Sequence, residues 1–299
     1  MTAVLKPCVR CFRVIDRLCI FGVGLIGGSL AISLRNAGFC KQIIGCSRSE
    51  SHLQQAQALG IIDEYTVVPS EAVKNADVVF LAVPLGAMQS ILAQIKDHIP
   101  AQAIITDGGS AKQSVKEAAE SVFGELPAHF ILGHPIAGRE KSGVNAAVDR
   151  LYENRKVILT PVSNTNQAAL EKTTAMWQAC GAIVETMSVT SHDKILAATS
   201  HLPHILAYEL VATLVECEES ERVFDYAAGG FQDFTRIASS DPVMWRDICL
   251  ENKTAVLEMI SQFENRLERL KGMINNKEGD AIVKEFSLAK TARDDMLKR

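Results

Sequence analysis

The sequence predicts an α/β domain built on a mainly parallel sheet, followed by an all-α domain. Three observations carry this expectation. Short apolar runs alternate with helix-period segments from residue 18 to about 188. A glycine-rich turn, Gly22-Val23-Gly24-Leu25-Ile26-Gly27-Gly28, closes the first of those runs. Beyond about Ser188 no strand-like run returns, and apolar residues recur at spacings of three and four.

The elements follow in order. Leu18-Cys19-Ile20-Phe21 reads as the first strand, with a helix from about Leu25 to Ala37. Gln42 to Cys46 is the second strand, and Ser51 to Leu59 is helical, with Ser51 as its candidate cap. Val78-Val79-Phe80-Leu81-Ala82-Val83 is an unbroken apolar run ending at Pro84, the pattern of a parallel strand covered on both faces. Ala103 to Thr106 and Phe130 to Leu132 repeat it. Lys156 to Thr160 and Ala182 to Met187 are two more strands, joined by a helix near Asn166 to Cys180. Parallel strands need right-handed crossovers, which these helices supply. Helical spacing then governs Ile195 to Val215 and Val256 to Ile274, and a last helix is expected over Asp280 to Leu288. Leu257, Ile260, Phe263, Leu267, Leu270 and Ile274 form one stripe. Core is the default reading of that stripe, and a subunit interface is the alternative, because a small helical domain buries more by pairing. The expected organisation is an extension over 1–17, an α/β domain over 18–188 and a helical domain over 189–299.

Composition removes several function classes. The 47% hydrophobic and 22% charged content is that of an ordinary globular protein. A net charge of -4 leaves no basic surplus to neutralise phosphates, so nucleic acid is not expected as a partner. No run of 18 apolar residues suggests a membrane span, and the first 17 residues lack the apolar stretch of a signal peptide. Cys8-Val9-Arg10-Cys11 has CxxC spacing, but no second pair follows at zinc-site distance. The eight scattered cysteines therefore read as reduced thiols in a cytoplasmic protein, with no metal expected.

The glycine turn matches GxGxxG in its required setting, after a strand and opening a helix, as in a Rossmann dinucleotide-binding domain. Gly22 makes the tight turn, Gly24 lets the backbone approach a pyrophosphate, and Gly27 lets helix and strand pack closely. Leu25 and Ile26 contribute helix N-terminal N–H groups to the phosphates. Val83 and Pro84 end a neighbouring strand and are further cofactor-binding candidates. An acid at the end of the second strand would bind a ribose 2′-hydroxyl, but Cys46-Ser47-Arg48-Ser49 stands there. Ser47 and Arg48 suit a 2′-phosphate, so NADP is the expected cofactor, with NAD as the alternative.

His134 lies in Phe130-Ile131-Leu132-Gly133-His134-Pro135-Ile136-Ala137-Gly138, just past the end of a strand, where open α/β sheets do chemistry. Imidazole exchanges protons near neutrality. Three further segments are dense in polar residues. They are Thr106-Asp107-Gly108-Gly109-Ser110-Ala111-Lys112, Ser200-His201-Leu202-Pro203-His204, and Gly229-Gly230-Phe231-Gln232-Asp233-Phe234-Thr235-Arg236 with the Asp241-Pro242-Val243-Met244-Trp245 that follows.

Together with the histidine loop, these segments resemble the prephenate/arogenate dehydrogenase family of tyrosine biosynthesis, from about Leu18 to about Leu270. The resemblance implies a Rossmann domain followed by a helical dimerisation domain, hence a homodimer. It also implies oxidative decarboxylation of a cyclohexadienol. Hydride leaves the hydroxyl-bearing carbon for the nicotinamide, the ring carboxylate departs as CO2, and the ring becomes aromatic. By family match His134 accepts the hydroxyl proton and Ser110 orients that histidine near the nicotinamide. Arg236 holds a substrate carboxylate, and His204 and His201 face the substrate. Asp233 and Trp245 support the site from behind, although Trp245 also fits as plain core.

Arg139 departs from the Ser or Thr that many family members carry after His-Pro-Ile-Ala-Gly. It either reaches a substrate carboxylate or pairs with Glu140 at the surface. Two other readings compete. One is a Rossmann-plus-helical dehydrogenase of β-hydroxy acids or imines, which would offer a base from the helical domain. The other is a non-catalytic NAD(P)-sensing protein, against which Ser110, His134 and Arg236 argue.

Overall fold

The computed structural model describes residues 14–138 and 143–298, so Cys8, Cys11 and Arg139 lie outside the described residues. The α/β part opens with β1 (Ile15–Phe21), α1 (Leu25–Asn36), β2 (Cys40–Cys46), α2 (Glu50–Ala58) and β3 (Glu64–Thr66). It continues through α3 (Pro69–Ala72), β4 (Val78–Leu81), α4 (Met88–Ile95), β5 (Ile104–Asp107), α5 (Lys112–Phe123) and β6 (Phe130–Ile131). These six strands form a parallel sheet in the order β3-β2-β1-β4-β5-β6. The order reverses between β1 and β4, which is where open α/β sheets bind ligands.

The chain then changes sheet. β7 (Gly133–Pro135) pairs antiparallel with β8 (Lys156–Leu159), and α6 (Gln167–Ala179) leads to β9 (Ile183–Thr186), parallel to β8. The last strands expected from sequence thus belong to a separate three-stranded sheet. His134 sits within β7, opposite Ile158, rather than in a loop beyond a strand. Apolar runs reveal strands but not which sheet they join.

Trp177, fully buried, meets Phe80 and Tyr152 edge-on at ring distances of 5.7 and 5.0 Å. This pins α6 to the face of β4, and such aromatic pairs add about 0.5–1.5 kcal/mol each beyond their buried area. The helix starts follow local chemistry. Ser49, not Ser51, caps α2, because its extended backbone lets its hydroxyl accept from His52 N. Asn166 caps α6 by accepting from Ala169 N.

Ser188 caps α7 (Val189–Leu196) and marks the change to all-helical structure. A π-helical turn, Ala197–His201, runs into α8 (Leu202–Val215), followed by α9 (Ser220–Asp225) and α10 (Gly229–Thr235). A 3-10 turn, Arg236–Ser239, precedes α11 (Pro242–Glu251), which Asp241 caps with Pro242 at its first position. The chain forms two compact units that part between Lys253 and Thr254, so α7 to α11 belong to the unit that holds both sheets.

The second unit comprises α12 (Lys253–Asn275) from Thr254 onward and α13 (Gly279–Leu297), joined at a turn where Lys277 is left-handed. Glu285 of α13 bridges Arg266 and Arg269 of α12. The apolar stripe of α12 is not core. Leu257, Leu267 and Ile274 are exposed, as are Val283, Phe286 and Leu288 of α13. Helical spacing reports an apolar face without saying what covers it. No helix among the described residues is long and apolar enough to cross a membrane.

Candidate active site

Strand register brings the key segments to one edge. Phe21, Leu81 and Asp107 occupy the same row at the carboxyl ends of β1, β4 and β5. Gly22, Ala82-Val83-Pro84 and Gly108-Gly109-Ser110 leave that row directly.

The geometry of the glycine turn suits a nucleotide. Gly22 has φ +86, and a Cβ there would collide with the Ala82 carbonyl oxygen. At Gly27 a Cβ would strike the Gly22 carbonyl oxygen and Ile20, so α1 could not pack this close to β1. A Cβ at Gly24 would meet nothing nearer than Gly143 N at 4.0 Å, and as the N-cap of α1 it offers no side-chain bond to the first N–H groups. No acid occupies that first turn, so the positive end of α1 is left for an anion. Leu25 and Ile26 are half-buried, and the Ile26 carbonyl is held by Tyr152 Oη at 2.6 Å. Ser47 is engaged locally with Ser49, while Arg48 is exposed with no ion pair among the described residues. These residues fit a dinucleotide.

His134 is placed by a buried clamp. Asp107 and Lys112, both fully buried, form an ion pair across the β5–α5 turn. Asp107 Oδ1 accepts from Gly133 N at 2.9 Å and Oδ2 from Gly109 N at 2.8 Å. Lys112 Nζ donates to the Gly133 carbonyl at 2.6 Å. Both backbone groups of the residue before His134 are therefore gripped by one carboxylate and one ammonium. Burial pulls the Lys112 ammonium below its usual range, and Asp107 opposes that pull.

The imidazole of His134 is half-buried, with Nδ1 2.9 Å from His192 Nε2. His192 Nδ1 is in turn 2.7 Å from Asp193 Oδ1. Asp193 also accepts from Lys112 N at 2.8 Å and Gln113 N at 2.9 Å. Burial, then the neighbouring His192, Lys112 and His201, hold His134 well below the ordinary histidine range. Burial lowers His192 too, against the pull of Asp193. Burial pushes Asp193 up, but the bonds from His192, Lys112 and Gln113 outweigh it and leave the carboxyl low. A neutral imidazole with an ionised carboxylate one hydrogen bond beyond its neighbour can act as a base. His134 Nε2 has no partner among the described residues.

The helical residues gather on α8 and α11. His204 stacks on Trp245 at 3.8 Å between ring centres, and His201 meets the same indole edge-on. Trp245 thus combines core burial with an orienting contact. Asn252 Nδ2 donates to the Asp193 carbonyl at 2.9 Å and lies 3.1 Å from His201 Nδ1. A carbonyl only accepts, so the amide nitrogen must face it, and His201 Nδ1 must accept as well. The His201 proton then sits on Nε2, which is buried without a partner among the described residues. Burial lowers His201 to about 4 and also lowers His204. The 3-10 turn that opens with Arg236 packs on α8, the helix of His204. Arg236 and Asp233 are exposed.

Ser110 is half-buried and makes no hydrogen bond to His134, whose Nδ1 is held by His192 instead. His192, Asp193 and Asn252 escape sequence reasoning, although the His-Asp pair near the start of a helix was a usable signal. Two such residues would both be buried only if they were bonded.

Comparison with known proteins places the chain beside a defined group. The family model for the nucleotide-binding domain of prephenate dehydrogenase matches residues 30–186, and that for its dimerization domain matches 188–288. A cyclohexadienyl dehydrogenase of Zymomonas mobilis is 35% identical over 285 residues, covering 94% of this chain and 96% of that protein. A prephenate dehydrogenase of Bacillus subtilis is 36% identical, covering 93% of this chain and 76% of that one. A crystal structure of prephenate dehydrogenase from A. aeolicus, in complex with hydroxyphenyl propionate and NAD+, superposes with a TM-score of 0.88. It is 40% identical and covers 94% of this chain and 98% of that one.

Proposed function

The chain belongs to the prephenate dehydrogenase family, and we propose that it oxidises prephenate or arogenate with loss of CO2, with His134 as the base. The observation that carries this reading is the state of His134, a neutral imidazole with Nδ1 held and Nε2 open, fixed at the edge where the glycine turn also emerges.

Gly22, Gly24 and Gly27, with the N–H groups of Leu25 and Ile26, would hold the pyrophosphate of NAD(P). Val83 and Pro84, where β4 ends, would flank the dinucleotide, and Ser110 would contribute to the nicotinamide side of the site. When bound, the nicotinamide supplies a hydride acceptor. His134 Nε2 takes the proton of the substrate hydroxyl as the C–H bond breaks, and the carboxylate leaves as CO2 while the ring becomes aromatic. Arg236 pairs with a substrate carboxylate, for which a planar guanidinium is suited, and His204 and His201 line the substrate side. Ser47 and the unengaged Arg48 favour NADP over NAD. The exposed apolar faces of α12 and α13 meet a second copy of the chain, giving a homodimer.

The test is an assay with NAD or NADP and either prephenate or arogenate, followed at the nicotinamide absorbance. His134→Asn should lower kcat by about 10²–10⁴-fold with little change in KM. Arg236→Gln should mainly raise KM. Near-normal kcat in the first variant refutes the role of His134, and silence in all four combinations favours the sensor reading.

A further inference from the structure

We propose that His192 and Asp193 are positioning residues that keep the His134 proton on Nδ1, so that the Nε2 lone pair faces the substrate hydroxyl. The proposal rests on the reading of His134 as the base.

The argument is one of donors and acceptors. An ionised carboxylate only accepts, so the proton shared by Asp193 and His192 belongs to His192 Nδ1. A neutral imidazole carries one proton, so His192 Nε2 is a lone pair. It stands 2.9 Å from His134 Nδ1, which must then donate. The single proton of His134 is spent there and Nε2 is left bare. Reversing the chain would set the His192 Nδ1 lone pair against the Asp193 carboxylate at 2.7 Å. It would also protonate His134 at Nε2, the nitrogen that has to accept.

Asp193 is held in the accepting state by more than histidine. It receives the N–H groups of Lys112 and Gln113, the first two residues of α5. The N-cap of that twelve-residue helix is Ala111, which has no polar side chain, so Asp193 provides the missing cap. The positive end of α5 and two N–H bonds favour the ionised carboxylate. The Asn252 bond to the Asp193 carbonyl fixes the backbone behind it. Proton uptake at Nε2 leaves His134 cationic, still donating through Nδ1 to His192, with the Asp193 charge one hydrogen bond further on. That arrangement stabilises the imidazolium as it forms and requires no proton on Asp193.

The test uses the full-length protein and two variants. Nitrogen-15 chemical shifts of the His134 ring, assigned by their loss in His134→Gln, report which nitrogen carries the proton. The wild type, free of substrate, should show a protonated Nδ1 and a bare Nε2. His192→Gln keeps an acceptor for His134 Nδ1 and should keep this tautomer, with kcat reduced by no more than roughly 5-fold. His192→Phe offers no acceptor. It should mix the tautomers and lower kcat by about 10–100-fold, with KM within about 3-fold of wild type. A wild-type His134 protonated at Nε2 overturns the proposal whatever the enzyme oxidises, and so does His192→Phe with wild-type kcat. The ring shifts need no turnover, so failure of the substrate reading leaves this test standing, and the wild-type spectrum decides even if His192→Phe does not fold.

Discussion

Replacing Lys112 with methionine isolates the clamp that places His134. The change removes the ammonium but keeps most of the side-chain volume, so packing loss is small. It leaves the Asp107 carboxylate at 0% exposure, supported only by the N–H groups of Gly109 and Gly133, and it frees the Gly133 carbonyl. Removing one partner of a buried ion pair costs about 3–5 kcal/mol, because the other charge stays buried. For a folding unit of about 150–250 residues each kcal/mol moves Tm by roughly 2–4 °C, so the fall should be about 6–20 °C. Trp177, fully buried against Phe80 and Tyr152, reports the unfolding of this sheet by fluorescence. Asp107→Asn combined with Lys112→Met removes the stranded charge and should recover part of the loss, measured as a double-mutant cycle. Activity should fall alongside, as the carbonyl of the residue before His134 is no longer held. A Tm drop below about 2 °C with unchanged kcat refutes the clamp.

Three further predictions concern protons and cofactor choice. Burial holds His134 and His192 below the ordinary histidine range, so the pair takes its first proton below about pH 6.5. The acid limb of kcat/KM should therefore lie below that value, and a limb above it would contradict the neutral pair. Stability follows the same sign. The unfolded chain binds these protons first, so stability falls as pH drops from about 6.5 towards the folded values, of which that of His201 is about 4. Unfolding midpoints across that range measure the effect. Ser47→Asp places an acid where a 2′-phosphate is proposed to sit. It should lower kcat/KM for NADP by about 10-fold or more while sparing NAD, since like charges so close cost about 1.4 kcal/mol or more. Equal effects on both cofactors would remove Ser47 and Arg48 from that role.

Much of the fold was legible because it is local. The runs ending at Phe21, Leu81 and Ile131 are apolar on both faces, as strands in a covered parallel sheet must be. The glycine turn was legible because its spacing answers to sterics: at Gly22 and Gly27 any side chain would run into backbone. What stayed hidden depends on tertiary partners. Asp107 and Lys112 lie in the polar segment that drew attention to Ser110, yet only the folded chain shows that they grip Gly133. His192 and Asp193 look like the solvated start of a helix until their partners at His134, Lys112 and Gln113 are known. The Leu257 to Ile274 stripe has the period of a core helix, and periodicity does not tell a core from a surface that awaits a second chain.

The cap that Asp193 places on α5 also sets an order of events during synthesis. Its two N–H partners lie 81 and 80 residues earlier in the chain. The six strands of the parallel sheet and the glycine turn are complete well before Asp193 has left the ribosome, whereas the start of α5 waits for it. Such distant contacts are costly to close and form late. A nascent chain ending before α7 would hold every residue of the proposed nucleotide cradle and lack the group proposed to orient His134. On that proposal, competence to grip a dinucleotide would precede competence to turn it over.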